Sequence, residues 1–359
     1  MADFDNMDNG NANDSGEGQP KPRKKHRALK AALILLVILV AIAGGAAFAL
    51  NQVMGSIDEI EQVERIDPES EDFETDEDAG EDSMDPDEVE WPEDLTEAED
   101  EETSTGITNI LLIGQDTRTT GARERSDSMI IVSINDDTDS VCMISVMRDL
   151  YVQIPGYSDN RINAAYQFGG ADLLDEVIEK NFGVTIDYNV EIDFSGFEDI
   201  IDLLGGVDIT LTATEASYFQ AMGYSVSEGT NHVAGEFALV YAHTRYVSTA
   251  TESYDFGRTQ RQRAVITSIF NAYKNVSITE QLSLIGNVLD LVATDMSNAQ
   301  ILSMLYLVQG MNLSEIGSYR IPVDGTYTNQ TIRGMSVLVP DLTANRELIQ
   351  QMINGTYEG

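Results

Sequence analysis

The sequence predicts an α/β domain with a mixed central β-sheet flanked by helices, and three observations predict it. A short apolar run at residues 109–113 ends in Gly114, and β-rich runs at 128–134 and 141–146 are separated by a turn-like cluster. From residue 172 onward, helical periods are interspersed with further strands, as at 207–211, 318–321 and 336–339. At least one strand pair is a hairpin, because the cluster Asn135-Asp-Asp-Thr-Asp-Ser140 separates the second and third runs, so the sheet is mixed rather than purely parallel.

Taken in order, the first strand closes on Gly114, and the hairpin follows a polar loop. Residues 172–180 and 195–204 read as helices, the second ending at Gly205-Gly206, where a left-handed residue terminates a helix without steric cost. Residues 235–241 are helical. Residues 258–273 form a longer amphipathic helix, with Val265, Ile266, Ile269 and Phe270 at the 3.6-residue period. Helices near 280–291 and 299–308 and a closing helix at 342–352 complete the domain.

Four regions are expected: a cytoplasmic tail at 1–27 ending in a basic cluster, a transmembrane helix at 28–50, an acidic linker at 51–105 and a folded extracytoplasmic domain at 106–359. The stretch 31–50 carries no charged residue and is long enough to cross a hydrocarbon core, and the cluster Lys21-Pro-Arg-Lys-Lys-His-Arg27 before it places the N-terminus inside. A cleaved signal peptide is the competing reading, since Ala47-Phe-Ala49 resembles a cleavage site, but the apolar run is longer than a signal core. Between residues 56 and 104 there are 25 carboxylates and one basic residue, Arg65, so an extended, self-repelling linker is expected.

The net charge of −41 argues against nucleic acid as a partner. A single cysteine, Cys142, excludes an internal disulfide and a cysteine-based zinc site. No nucleophile elbow, P-loop, zincin helix or dinucleotide-binding glycine pattern is present.

Against that acidity the arginines stand out. Of the 14 basic residues after Gly106, 12 are arginine, the side chain whose planar fork grips phosphate bidentately. Arg118, Arg125 and Arg148 gather around the ends of the first three strands, and Arg245 and Arg258 flank a polar loop. Arg258 and Gln262 are four apart and share one helical face near an N-terminus, where backbone N–H groups favour an anion. Arg261 joins that face or points aside, and Arg263 lies off it and is expected to be solvated or paired. Asp116 and Asp127 sit at strand ends, where two carboxylates together with phosphate oxygens suit Mg²⁺. Turn-capping and local ion pairs, such as Arg148 with Asp149, remain the alternative for each of these residues.

The motifs Asn109-Ile-Leu-Leu-Ile-Gly-Gln-Asp-Thr-Arg118, Arg125-Ser-Asp-Ser-Met129, Met147-Arg-Asp-Leu150, Arg161-Ile-Asn-Ala-Ala-Tyr166, Asp193-Phe-Ser-Gly-Phe197, Leu204-Gly-Gly-Val-Asp208 and Asp255-Phe-Gly-Arg-Thr-Gln-Arg-Gln262 together resemble the LytR–CpsA–Psr family. The resemblance implies a membrane-anchored enzyme that attaches a glycopolymer, such as teichoic acid or capsular polysaccharide, to peptidoglycan. A peptidoglycan hydroxyl would attack the sugar-bearing phosphorus of a polyprenyl-pyrophosphate-linked glycan, and polyprenyl phosphate would leave. It implies a hydrophobic lipid pocket between sheet and helices, expected to exceed the roughly 300–1,000 Å³ of small-ligand sites. Carried over by position, Asp116 and Asp127 match the metal-binding carboxylates. Arg125, Arg148, Arg245, Arg258 and Gln262 match the pyrophosphate-binding set, with Arg118 beside them and Asp116 as the candidate base. One departure is His243, which stands where the family usually has arginine. Histidine can still hydrogen-bond phosphate. A non-catalytic envelope-binding or regulatory protein and a polyprenyl-pyrophosphate hydrolase are the alternative functions.

Overall fold

The computed structural model describes residues 58–60, 62–68, 83–92, 106–115, 125–252, 254–275, 284, 287–311 and 316–358. The expected cytoplasmic tail and membrane span lie outside the described residues, as do Asp116 and Arg118. Among the described residues no helix is long and apolar enough to cross a membrane.

The strands in chain order are β1 (Ile107–Gln115), β2 (Ser128–Asn135), β3 (Ser140–Val146), β4 (Tyr151–Val152), β5 (Asn160–Arg161) and β6 (Tyr188–Asp193). They continue with β7 (Val207–Leu211), β8 (Gly229–Val233), β9 (Ala293–Thr294), β10 (Gly317–Ile321), β11 (Tyr327–Ile332) and β12 (Met335–Pro340). The helices are α1 (Ile162–Phe182), α2 (Phe194–Leu203), α3 (Ala213–Ala221), α4 (Gly235–His243), α5 (Tyr254–Asn275), α6 (Asn298–Gly310) and α7 (Leu342–Ile353).

The central sheet is mixed, with strand order β10-β3-β2-β1-β6-β9. The expected hairpin is β2–β3, and Asn135 Oδ1 fixes its turn by accepting from the backbone N–H groups of Asp137 and Thr138, both at 3.1 Å. β1 pairs antiparallel with β2 and parallel with β6. Successive side chains of these strands point to opposite faces. On one face Leu111, Ile113, Met129, Ile131 and Ile144 are buried in a core shared with α1 and α7. On the other, Leu112, Ile130, Val190 and Ile192 face a cavity covered by α2, α4 and α5.

Helix α1 begins ten residues before the expected start. It bends at Gly169-Gly170, where Gly170 takes φ 70°, a conformation open to glycine. Gly235 opens α4 hard against α2, since a Cβ there would lie 2.3 Å from the Glu198 carbonyl oxygen, and its N–H donates to Asp202 Oδ1 at 2.8 Å. A second apolar cluster joins the β7–β8 hairpin to α2, α3, α4 and α5 through Ile201, Ile209, Phe219, Phe237 and Val265. Of the helix expected at 280–291, residues 284 and 287–289 are helical, while 290–291, also described, form a turn.

Parts of the acidic region hold to the domain instead of extending from it. Ile66 N–H donates to the Phe168 carbonyl at 2.9 Å, and its own carbonyl accepts from Tyr157 OH at 2.7 Å. The Asp58 carbonyl accepts from Thr294 N–H at 3.0 Å, extending the sheet beyond the short edge strand β9. Trp91 donates to Asp159 Oδ2 at 2.7 Å and stacks on Tyr151, while Val89 is buried nearby. Among the described residues of this region Ile66, Val89 and Trp91 dock while Val63 stays exposed, so charge density alone is a poor guide here.

Candidate functional site

The cavity between the sheet and α2, α4 and α5 has a volume of about 400 Å³. That lies within the range of ordinary ligand sites and does not exceed it, which corrects the expected size. Bulky side chains from both layers, among them Ile130, Phe197, Leu239, Ile266 and Ile269, fill the space to that extent. Its walls are almost wholly aliphatic and aromatic. The polar lining includes Asp127 and Ser128 at the start of β2, Asp193 and His243, and Arg258 and Gln262 from the first turns of α5.

Arg258 is the central residue of the polar end. It is 2% exposed, and its Nη2 lies 3.2 Å from Asp255 Oδ1. The same carboxylate oxygen faces Arg245 Nε at 3.3 Å, so the polar loop does bring Arg245 beside Arg258. On the opposite side Arg148 Nη1 donates to Asp127 Oδ1 at 2.7 Å, and Arg148 Nε lies 3.7 Å from Asp149, which also faces Arg161 at 3.5 Å. The local ion pairs weighed against phosphate binding are therefore present. Among the described residues Arg148, Arg245 and Arg258 share two carboxylates, Asp127 and Asp255, and Asp149 is divided between Arg148 and Arg161.

The compensation is uneven, short at Arg258 and ample at Arg148. Burial, reinforced by the neighbouring cations of Arg148 and Arg245, pushes the Arg258 guanidinium down to about 10, and Asp255 and Asp127 offset this only in part. Arg148 is raised, since Asp149, Asp127 and Asp255 together outweigh the burial that opposes its charge. Among the described residues the Nε–H donors of Arg258 and of Arg148 are both buried without a hydrogen-bond acceptor. An orphaned buried donor on a charged group is costly.

The remaining expected residues divide. Gln262 lines the cavity and accepts from Ser128 Oγ at 3.2 Å, which ties α5 to β2. Arg125 donates from Nε to Gln167 on α1 at 3.1 Å. His243 ends α4 and contributes to the cavity wall, with its ring edge-on to Phe194 at 4.3 Å. Its Nδ1 lies 3.0 Å from the Leu239 carbonyl, which can only accept, so Nδ1 carries the proton. Arg261 points aside: it is fully buried, paired with buried Glu215 at 3.0 Å, and donates to the Thr244 carbonyl at 2.9 Å and to that of Val247. Arg263 is not solvated. It is 3% exposed and spans from α5 to the sheet, donating to Ser318 Oγ at 2.8 Å and Ser145 Oγ at 2.7 Å, and burial lowers it to about 10.

Asp127 supplies a carboxylate at the mouth, 32% exposed and beside the arginines. That suits Mg²⁺, which needs one or two protein carboxylates when phosphate oxygens and waters complete its shell. The second expected ligand, Asp116, lies outside the described residues. Among the described residues no group of three or more His, Cys, Asp or Glu side chains could hold a metal.

The sequence profile of the LytR_cpsA_psr family matches residues 73–354. The chain belongs to this family. Among curated relatives, the regulatory protein MsrR of Staphylococcus aureus (strain COL) is 29% identical over 255 residues, covering 69% of this chain and 75% of that protein. The polyisoprenyl-teichoic acid–peptidoglycan teichoic acid transferase TagU of Oceanobacillus iheyensis is 39% identical over 189 residues, covering 50% of this chain and 57% of TagU. Among solved structures, Bacillus subtilis TagV matches with a TM-score of 0.56 and 26% identity over 71% of this chain and 99% of that one. TagT with bound octaprenyl pyrophosphate lipid shares the fold, with a TM-score of 0.55 and 23% identity over 72% of this chain and 95% of that one. The mixed sheet flanked by helices is thus the fold of the LytR–CpsA–Psr proteins, and the family includes transferases.

Proposed function

We propose that this protein transfers a glycopolymer from a polyprenyl-pyrophosphate carrier to peptidoglycan, forming a phosphodiester, as a Mg²⁺-dependent enzyme anchored in the cell membrane with its domain outside. The observation that carries this reading is the pairing of an apolar cavity with a mouth arginine, Arg258, that is buried and holds an unsatisfied donor. A polyprenyl pyrophosphate has the complementary order of parts: a long apolar tail, then two phosphates. The name of TagU and the lipid in TagT support that chemical class for the ligand.

In this reading the tail enters the cavity and the diphosphate lies against Arg258, Arg148 and Arg245. Their charge holds the oxygens of the transferring phosphoryl group as it loosens from its leaving oxygen. A peptidoglycan hydroxyl attacks the phosphorus that carries the sugar, and the bond from that phosphorus to the bridging oxygen breaks. Polyprenyl phosphate departs, and the hydroxyl proton passes to a carboxylate, for which Asp116 is the proposed base. Asp127 orients Arg148 and, with Asp116, would hold the metal, which when bound would further neutralise phosphate charge. Gln262, fixed by Ser128, keeps the Arg258 turn of α5 in place.

The test is transfer by the full-length protein in detergent, with Mg²⁺, a polyprenyl-pyrophosphate-linked glycan and peptidoglycan oligomers. A phosphodiester-linked product, reduced at least 100-fold by Arg258→Lys, is expected on the scale of losing one preorganised charge contact. Release of glycan phosphate to water, without linkage to the acceptor, would assign a hydrolase instead. No reaction with either acceptor would favour the regulatory role in the name of MsrR.

A further inference from the structure

The first turn of α5 carries Asp255 and leads directly to Arg258, so its placement decides whether the arginines meet. Helix ends fray unless something outside the helix holds them. Tyr254, where α5 begins, takes φ 52°, a left-handed conformation rare for a bulky residue, and such strain persists only where the surroundings enforce it. Arg320, on β10, grips this turn from outside. It is 8% exposed, and its Cζ lies 4.2 Å from the centroid of the Phe256 ring. Its Nε donates to Glu252 Oε1 at 3.1 Å. The Glu252 backbone in turn abuts the same turn, since a Cβ at Gly257 would lie 3.1 Å from the Glu252 carbonyl oxygen. The rest of the guanidinium is fixed to residues just past its own strand, by Asp324 Oδ1 at 2.6 Å and by the Pro322 carbonyl.

The end of β10 also meets the other half of the arginine cluster. β10 pairs parallel with β3, and Met147 N–H, next to Arg148, donates at 3.0 Å to the Ile321 carbonyl, next to Arg320. Arg148 and Arg258 are thus both tied to one strand end, although Arg320 is not among the residues that line the cavity. Burial opposes the charge of Arg320, and Asp324 and Glu252 outweigh it, so the clamp is ionised. We propose that Arg320 is a positioning residue for the diphosphate site, holding the Asp255–Arg258 turn of α5 in place relative to Arg148, an inference that rests on the function proposed above. Arg320 acts through Phe256 and Glu252 and touches no phosphate itself. Without it the turn is free to shift, and Arg258 no longer converges with Arg148 on one diphosphate.

The experiment measures binding of octaprenyl pyrophosphate, and of octaprenol, which lacks the phosphates, to the full-length protein in detergent with no acceptor present. Arg320→Met is expected to weaken the pyrophosphate lipid about tenfold, the scale of one charge-assisted hydrogen bond, and octaprenol less than twofold. Phe256→Leu leaves every charge in place and is expected to weaken only the pyrophosphate lipid, by about threefold; it carries the test should Arg320→Met fail to fold. In an Arg258→Met background the Arg320→Met loss should shrink below about threefold, because the turn then has no arginine to position. Equal loss for both lipids would assign Arg320 to the stability of the fold alone. A full loss retained in the Arg258→Met background would make its effect independent of the turn, and a neutral Phe256→Leu would reduce it to a field of charge. Each of these outcomes, or no loss in any variant, overturns the positioning role and leaves the proposed function standing. If the wild-type protein binds neither lipid, or binds the two equally, the proposed function falls and the positioning role with it.

Discussion

Replacing Arg261 by methionine tests whether this arginine is structural. The Arg261 side chain is 0% exposed and Glu215 2% exposed, with Nε and Oε1 3.0 Å apart. Methionine would leave a buried carboxylate without its cation, strip the hydrogen bonds to the Thr244 and Val247 carbonyls, and remove a guanidinium 5.6 Å from the Tyr241 ring centroid. Breaking a buried pair from one side costs about 3–5 kcal/mol, against about 0–1 kcal/mol for an exposed pair. Glu215 retains partial compensation, because its Oε2 accepts from Thr212 N at 3.0 Å and from Thr212 Oγ1 at 2.9 Å in the capping box of α3. We therefore expect about 3 kcal/mol, near the lower end. Urea unfolding with an unchanged slope measures it, and adding Glu215→Gln should restore at least about 1 kcal/mol by removing the stranded charge. A loss under about 1 kcal/mol, or a double variant no better than the single, would refute the burial argument.

Three further outcomes are expected. Arg263→Lys should destabilise the protein by about 1–3 kcal/mol in the same urea assay, since a lysine cannot span both Ser145 and Ser318 with fixed geometry; a neutral result would mean that the hydroxyl contacts contribute nothing. Asp175 is raised to about 7 by burial and by the nearby acids Asp295, Asp172 and Glu179, opposed by the hydrogen bond from Asn189. Between about pH 4 and 7 the folded state holds a proton that the unfolded state has lost, so stability falls as pH rises, by up to about 1.4 kcal/mol per pH unit. Asp175→Asn should flatten that slope in melts across pH, and an unchanged slope would place its origin elsewhere. His243→Arg should maintain or raise transfer, because it adds a fork to the cavity wall; a tenfold loss would show that the imidazole's contacts with Leu239 and Phe194 are needed there.

The sheet was legible wherever a strand formed an apolar or β-rich run bounded on one side by turn residues, as β1, β2 and β3 do. β6 was not, because Tyr188–Asp193 mixes Asn, Glu and Asp into a strand whose place is set by parallel pairing with β1, a contact that no local pattern encodes. α3 was readable in principle, since Thr212 and Glu215 have the spacing of a capping box, but its surroundings carry little apolar periodicity. At the site, the four-residue spacing of Arg258 and Gln262 places both on the cavity as expected. Spacing could not reveal that Arg263 is buried, because its partners Ser145 and Ser318 lie on strands remote in sequence. Nor did acidity reveal that the segments around Ile66 and Trp91 dock, since a few apolar side chains outweighed many charges there.

A crystal structure of the protein with octaprenyl pyrophosphate tests the proposed function most directly. The account predicts the isoprenoid chain inside the cavity between Ile130, Phe197, Leu239 and Ile266, with diphosphate oxygens within hydrogen-bond distance of the now unsatisfied Nε atoms of Arg258 and Arg148. Lipid bound at another surface, with Arg258 still held only by Asp255 and its cavity unfilled, would contradict it.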